Sequence, residues 1–247
     1  MVPSPLKDRI AVVTGASRGI GYTTALVLAE AGAHVIAVAR TTGGLEDLDD
    51  AIKAKGGSAT LVPIDLKDYA AIDRLGAAIF ERWGKLDILV GNAGILGPLS
   101  PLGHVDPAAF DEVMAVNVTA NWRLIRSLDP LLQASDAGRA VFVSSGAAHK
   151  TMAFWGPYST SKAALQALVM TYAAETQNSR LRVNLVNPGP LRTKMRAEAM
   201  PGEDPLTLHT AEDLAPHILD LCLPTATQHG MIFDFPTGKM LRPQAPT

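Results

Sequence analysis

Cysteine is almost absent from the chain: Cys222 stands alone, so no intramolecular disulfide can form and no paired Cys/His spacing offers a structural zinc site. That usage fits a reducing cytoplasm, the expected location. An excess of charge of one sign is also missing. Lys and Arg number 22 against 24 Asp and Glu, a formal net charge of -2, which gives neither nucleic acid nor an anionic membrane a clustered basic surface. Long apolar runs are lacking too. Residues 1–8 hold no stretch of signal-peptide length, and later hydrophobic segments are broken by charge or glycine before membrane-spanning length. No internal repeat, low-complexity linker or composition shift divides the 247 residues, so one domain over 1–247 is expected. The six histidines, His34, His104, His149, His209, His217 and His229, show no metal-ligand spacing, and no catalytic metal is expected.

What is present is an ordinary globular composition, 47% hydrophobic and 19% charged. Apolar, β-branched runs recur at Ile10–Thr14, Val35–Ala39, Ala59–Ile64, Leu86–Gly91, Ala140–Ser144 and Leu181–Asn187, separated by segments of helix-like composition. Strands apolar along their length suit a parallel sheet covered on both faces. The expected fold is therefore α/β, a Rossmann-like doubly wound parallel sheet with helices on both sides. Met231–Phe235 adds a strand, about seven in all, and Pro236, Pro243 and Pro246 point to an irregular tail over about 236–247.

After the first run comes Thr14-Gly15-Ala16-Ser17-Arg18-Gly19-Ile20-Gly21, then an alanine-rich segment, Tyr22–Ala31, that reads as a helix. Glycines let the backbone turn tightly and approach a pyrophosphate, and the N-terminus of a helix offers free N–H groups and a favourable dipole. The spacing Gly-x-x-x-Gly-x-Gly differs from the common Gly-x-Gly-x-x-Gly pattern, and a purely structural turn stands beside the dinucleotide reading.

Much further on, Tyr158-Ser159-Thr160-Ser161-Lys162 sets a tyrosine and a lysine four residues apart, before the strongly helical Ala163–Thr176. On a helix the two share one face. Phenol titrates near pH 10, and a neighbouring ammonium favours phenolate by about 1.4 kcal/mol per unit of depression, so Lys162 is expected to lower the pKa of Tyr158 and make it a usable proton donor and acceptor. With the glycine turn, this Tyr-x-x-x-Lys pair makes the chain resemble the short-chain dehydrogenase/reductase family over nearly its whole length. Asp65, Asn92-Ala93-Gly94, Asn117, Ser144-Ser145 and Pro188-Gly189-Pro190 follow in the order in which that family carries its named elements.

The resemblance implies an NADP(H)-dependent oxidoreductase acting on a small-molecule carbonyl or alcohol. Ser145 resembles the serine that orients the substrate oxygen, with Ser144 its rival. Tyr158 resembles the acid/base, Lys162 the lysine that also contacts the nicotinamide ribose, and Asn117 the asparagine that holds a water in the proton relay. The cofactor is expected along Gly15, Ser17, Arg18, Gly19, Ile20 and Gly21, beside Arg40, Asp65 and Leu66, against Asn92, Ala93 and Gly94, and under Pro188, Gly189, Leu191 and Thr193. Ala39 ends the second strand where an NAD-selective protein places an acid, and Arg40 and Arg18 bring positive charge for a 2′-phosphate, so NADP(H) is expected over NAD(H). Leu96, Met152, Trp155, Pro190 and Met195 make a candidate apolar substrate wall beside Ser145 and Tyr158, and residues 191–210 a mobile cover. The family likeness further implies a homodimer or homotetramer through the stretches Asn121–Leu132 and Ala163–Thr176. Two other classes fit the same motifs: a nucleotide-binding regulator without turnover, and an epimerase or dehydratase that uses its nicotinamide transiently.

Overall fold

A computed structural model describes residues 4–243. Eight strands form one sheet: β1 (Ile10–Thr14), β2 (His34–Ala39), β3 (Ser58–Pro63), β4 (Ile88–Gly91), β5 (Arg139–Val143), β6 (Arg182–Asn187), β7 (Met231–Asp234) and β8 (Lys239–Leu241), in the order β3-β2-β1-β4-β5-β6-β7-β8. The pairings through β7 are parallel, and β8 returns antiparallel against β7. The chain reverses its winding between β1 and β4, and that switch opens a crevice at the carboxyl ends of the strands.

The helices are α1 (Gly19–Glu30), α2 (Thr42–Ala54), α3 (Tyr69–Trp83), α4 (Pro107–Met114), α5 (Ala120–Ala134), α6 (Gly156–Glu175), α7 (Lys194–Ala199) and α8 (Ala211–Cys222). Alternation along buried strands divides the core in two. Ile10 and Val12 of β1, with Ile36 and Val38 of β2, pack with α3, α5 and α6; Ala11, Val13, Val35 and Ala37 pack with α1, α2 and α8. Both faces of the sheet are thus covered, and β1 and β5 are buried at every position. The edge strand β3 is only partly buried.

Three expectations are corrected. The sheet has eight strands rather than about seven. In the segment expected to be irregular from residue 236, a single turn at Phe235–Thr237 and a left-handed Gly238 (φ 65°) reverse the chain into β8; Pro236 shapes the reversal instead of ending order. Residues 244–247, with Pro246, lie outside the described residues. Helices α1 and α6 begin earlier than their apolar patterns, at Gly19 and Gly156. The glycine motif therefore supplies the first turn of α1, and Tyr158 and Lys162 both lie within α6.

Candidate active site

The turn after β1 is shaped by close approach. Gly15 has φ 66°, and a Cβ there would lie 2.8 Å from Asn92 Nδ2 and 3.0 Å from the Ala93 Cα. A Cβ on Gly21 would come within 2.3 Å of the Gly15 carbonyl oxygen. Gly15 thus keeps the turn tight, while Gly21 lets α1 start directly behind it; Gly21 does not reach the cavity. Arg18 precedes α1 in extended conformation, and its side chain makes no capping hydrogen bond. The first N–H groups of α1 thus have no side-chain acceptor there, and they favour an anion.

Asn92 and Thr14 lock the end of β4 to this turn. Asn92 Nδ2 donates to the Thr14 and Gly15 carbonyls at 2.9 and 3.3 Å, and Thr14 Oγ1 accepts from the Asn92 and Ala93 amides at 3.0 and 3.1 Å. The Asn92 amide is spent on the scaffold, and small residues beyond it leave the crevice open. On the neighbouring wall, Ala39 is buried, while Arg40 is largely exposed and lies 4.0 Å from Asp65.

The crevice widens into a cavity of about 760 Å³, within the size range of small-molecule sites. Its wall gathers Ser17, Arg18, Gly19, Ile20 and Arg40 from the first half of the sheet, with Asp65, Leu66, Ala93 and Gly94 beside them. From the second half come Ser145, Tyr158 and Lys162, together with Pro188, Gly189, Leu191 and Thr193. The five apolar substrate candidates, Leu96, Met152, Trp155, Pro190 and Met195, line it as well.

At the centre, Tyr158 is buried, its ring edge-on to Trp155 with centroids 5.9 Å apart. Lys162, one helical turn on, is also buried; its Nζ donates to the Val143 carbonyl at 2.8 Å and stands 5.8 Å from the centre of the Tyr158 ring. Burial pushes the Tyr158 phenol above its ordinary value, and the Ser145 hydroxyl beside it offsets part of that rise. Burial pushes the Lys162 ammonium down to about 8. The expected lowering of the Tyr158 pKa by Lys162 is not seen in the site as it stands: dehydration disfavours the charged form of both groups. Ser145 Oγ accepts from the Ala147 amide at 3.1 Å, which fixes the serine at the head of a short turn. Ser144 is buried, and its hydroxyl has no hydrogen-bond partner among the described residues.

Asn117 lies behind the wall. It sits in a π-helical turn, Ala115–Thr119, between α4 and α5. Its amide donates to the Ile95 carbonyl and to Ser161 Oγ, both at 2.9 Å, while its Oδ1 accepts from the Ile95 amide at 2.8 Å. Ser161 lies between Tyr158 and Lys162 in sequence and donates back to the Tyr158 carbonyl at 2.8 Å. Asn117 thus ties the β4 loop to the helix that carries the tyrosine and lysine.

The 191–210 segment is tied together by its own contacts. An isolated bridge joins Leu191 to His209, Arg192 donates to the His209 and Pro205 carbonyls at 2.8 Å, and Arg196 pairs with Glu203 at 2.5 and 2.6 Å. Several wall residues went unseen in the sequence: Ile95, Lys150, Asn187, Lys194, Arg196, Met200 and Pro236. Lys194 follows Thr193 directly and was open to notice on that ground. Pro236 carried no such signal, since it reaches the wall only because the β7–β8 reversal brings it over Gly189, where an added Cβ would lie 2.4 Å from its Cγ. Among the described residues, no three His, Cys, Asp or Glu side chains group as metal ligands, and no helix is long and apolar enough to cross a membrane.

Comparison with known proteins agrees with this geometry. Residues 9–204 match the family model described as short chain dehydrogenase. The chain is 39% identical to the oxidoreductase YciK of Escherichia coli K12, named as uncharacterised, over 95% of this chain and 94% of that one. A Mycobacterium tuberculosis relative named as an NAD-dependent oxidoreductase is 37% identical over 79% of this chain and 76% of its own. A solved short-chain dehydrogenase from Escherichia coli CFT073, complexed with NADPH, superposes with a TM-score of 0.88 at 39% identity, covering 95% and 99% of the two chains. The ordered motifs, the doubly wound sheet and these matches agree: the chain belongs to the short-chain dehydrogenase/reductase family.

Proposed function

We propose that the protein is an NADP(H)-dependent oxidoreductase that interconverts a carbonyl compound and its alcohol. The observation that carries this reading is the convergence of buried Tyr158 and Lys162 with Ser145 in the cavity that the glycine turn also enters. A dinucleotide fits the chain's own groups: the open start of α1 and the turn at Gly15 and Gly19 would receive the pyrophosphate, and Lys162 would hold a ribose. Bound there, the nicotinamide supplies or accepts the hydride.

The protein's part is the proton and the position. In reduction, Ser145 donates a hydrogen bond that orients the carbonyl oxygen, and Tyr158 hands its proton to that oxygen as the carbon takes the hydride; oxidation reverses both transfers. A raised phenol pKa keeps Tyr158 protonated at neutral pH, ready for reduction. Asn117 acts through the scaffold it ties, holding the Tyr158–Lys162 helix against the β4 loop.

NADP(H) is favoured over NAD(H) by Arg40 and Arg18 beside an uncharged Ala39, and the NADPH-complexed neighbour supports this choice. The mycobacterial relative's name points the other way, so both cofactors belong in the test. NADPH oxidation across a panel of carbonyl compounds, with product identification, checks the reading. Alcohol formed in step with NADPH consumed is expected; cofactor binding without net turnover would point to a regulator, an epimerase or a dehydratase. The same proposal places the protein in the cytoplasm, which recovery in a membrane or exported fraction would refute. It also makes the protein a homodimer or homotetramer through α5 and α6, where Trp122, Ala163, Ala167 and Thr171 are exposed. Light scattering over a concentration series is expected to find more than the monomer mass; a monomer throughout rejects the assembly.

A further inference from the structure

Exposed apolar side chains are normal when scattered and informative when gathered. Nine large apolar residues are exposed among the described residues: Phe80, Trp122 and Leu241 lie elsewhere, while six lie in three segments that also supply residues to the cavity wall. Leu99 and Leu102 come from the loop after β4, Met152 and Phe154 from the loop before α6, and Met200 and Leu206 from the cover. The first two loops are joined, since the Ser100 amide donates to the Phe154 carbonyl at 3.0 Å, and Leu102 packs on the start of α6 so closely that a Cβ on Gly156 would lie 2.5 Å from its Cδ1. Met152 and Met200 belong both to this exposed set and to the cavity wall, and Phe154 lies between the wall residues Met152 and Trp155 in sequence.

Phe154 is strained into its place. Its φ of 73° is left-handed, unfavourable for a bulky residue, yet its side chain is 57% exposed. The ring is not repaid by core burial. The same end of the cavity offers cations but no carboxylate. The apolar part of that wall is Leu96, Met152, Trp155, Met195, Ala199 and Met200, with the cationic Lys150, Lys194 and Arg196 in the same segments. The only carboxylate in the wall is Asp65, on the side of Arg40. A cationic substrate would find no counter-charge there.

We propose, on the basis of the oxidoreductase reading above, that the substrate is a carbonyl compound or alcohol with an extended hydrocarbon portion, whose tail leaves the cleft across the rim formed by Met152, Phe154 and Met200. Phe154 is the specificity-determining residue outside the cavity proper. Transfer of a methylene from water is worth about fourfold in affinity when fully buried and about twofold on a half-exposed rim.

The test compares propanal, hexanal, decanal and glyceraldehyde as substrates with NADPH, and calorimetric binding of propanol and decanol to the NADP-loaded protein. Decanal is expected to exceed propanal by about a hundredfold in kcat/KM, with glyceraldehyde no better than propanal. Asn tolerates the left-handed backbone, so Phe154→Asn removes the ring without new strain; it is expected to cut the ratio of decanal to propanal kcat/KM about fivefold. Turnover that ignores chain length overturns the substrate class while leaving the oxidoreductase reading intact. Tighter binding of decanol than propanol, lost in Phe154→Asn, without turnover of any aldehyde, upholds the apolar site and overturns hydride transfer. A Phe154→Asn variant that changes the oligomeric mass but not the chain-length profile assigns the rim to a second copy and rejects the proposal.

Discussion

Burial favours the neutral form of Tyr158 and opposes the charged form of Lys162. Tyr158→Phe removes the transferable proton with little change in ring volume. It is expected to lower turnover by about a hundredfold to ten-thousandfold while NADPH still binds, as read by steady-state kinetics and a fluorescence titration; near-normal turnover would remove Tyr158 from its role. Lys162 is fully buried with its pKa at about 8, below the ordinary lysine value of 10.5. A base depressed in the folded state is fully compatible with folding only above its unfolded pKa. That stability is lost as pH falls from about 10.5 through about 8, so at neutral pH the charged lysine opposes folding by a few kcal/mol. Lys162→Met is thus expected to unfold at a higher urea concentration than wild type near pH 7 while losing turnover and NADPH affinity. A variant less stable than wild type at that pH would show that the bond to the Val143 carbonyl outweighs the dehydration.

Elements meet at the opposite end of the sheet through one carboxylate. Asp87, just before β4, is fully buried; its oxygens accept from Arg9 Nη1 at 2.8 Å, Ser135 Oγ at 2.6 Å, Lys85 Nζ at 3.1 Å and the Ile10 amide at 2.9 Å, and Arg9 also pairs with Asp136. These contacts join the starts of β1 and β4 to the end of α5. Burial alone would raise the Asp87 pKa, but the hydrogen bonds from Ser135, Ile10, Arg9 and Lys85 together hold it below its ordinary 3.8. The stabilisation is then complete above about pH 4 and is lost as pH falls below 3.8 towards the folded value. Asp87→Ala leaves two cations and two donors without their acceptor and is expected to cost about 3 kcal/mol in urea unfolding near neutral pH. The gap between wild type and variant should narrow on acidification to about pH 3; a gap that stays constant with pH would assign the loss to packing rather than to the ionised carboxylate.

The molecule as a whole brings Arg18, Ala39 and Arg40 to one side of the cleft, and the proposed preference for NADP(H) rests on them. Ala39→Asp with Arg40→Ser is expected to weaken NADPH and shift the affinity ratio towards NADH, by about tenfold or more if both arginine attraction and carboxylate repulsion act on the 2′-phosphate. Titrating both cofactors against both proteins measures it, and an unchanged ratio, or a wild-type preference for NADH, would refute the assignment. Much of this molecule was legible in the chain because the signals are local. A run of β-branched residues declares a buried strand, a glycine spacing declares a tight turn, and Tyr158 and Lys162 share a helix face by period alone. The tertiary structure decided what depends on distant segments: the reversal at Gly238 that adds β8, the arrival of Pro236 and Met200 in the wall, and the spending of the Asn92 and Asn117 amides on the scaffold. It also set the proton affinity of Tyr158 against expectation and lowered that of Lys162, because spacing brings two groups together, whereas the water removed from around them is a property of everything packed over them.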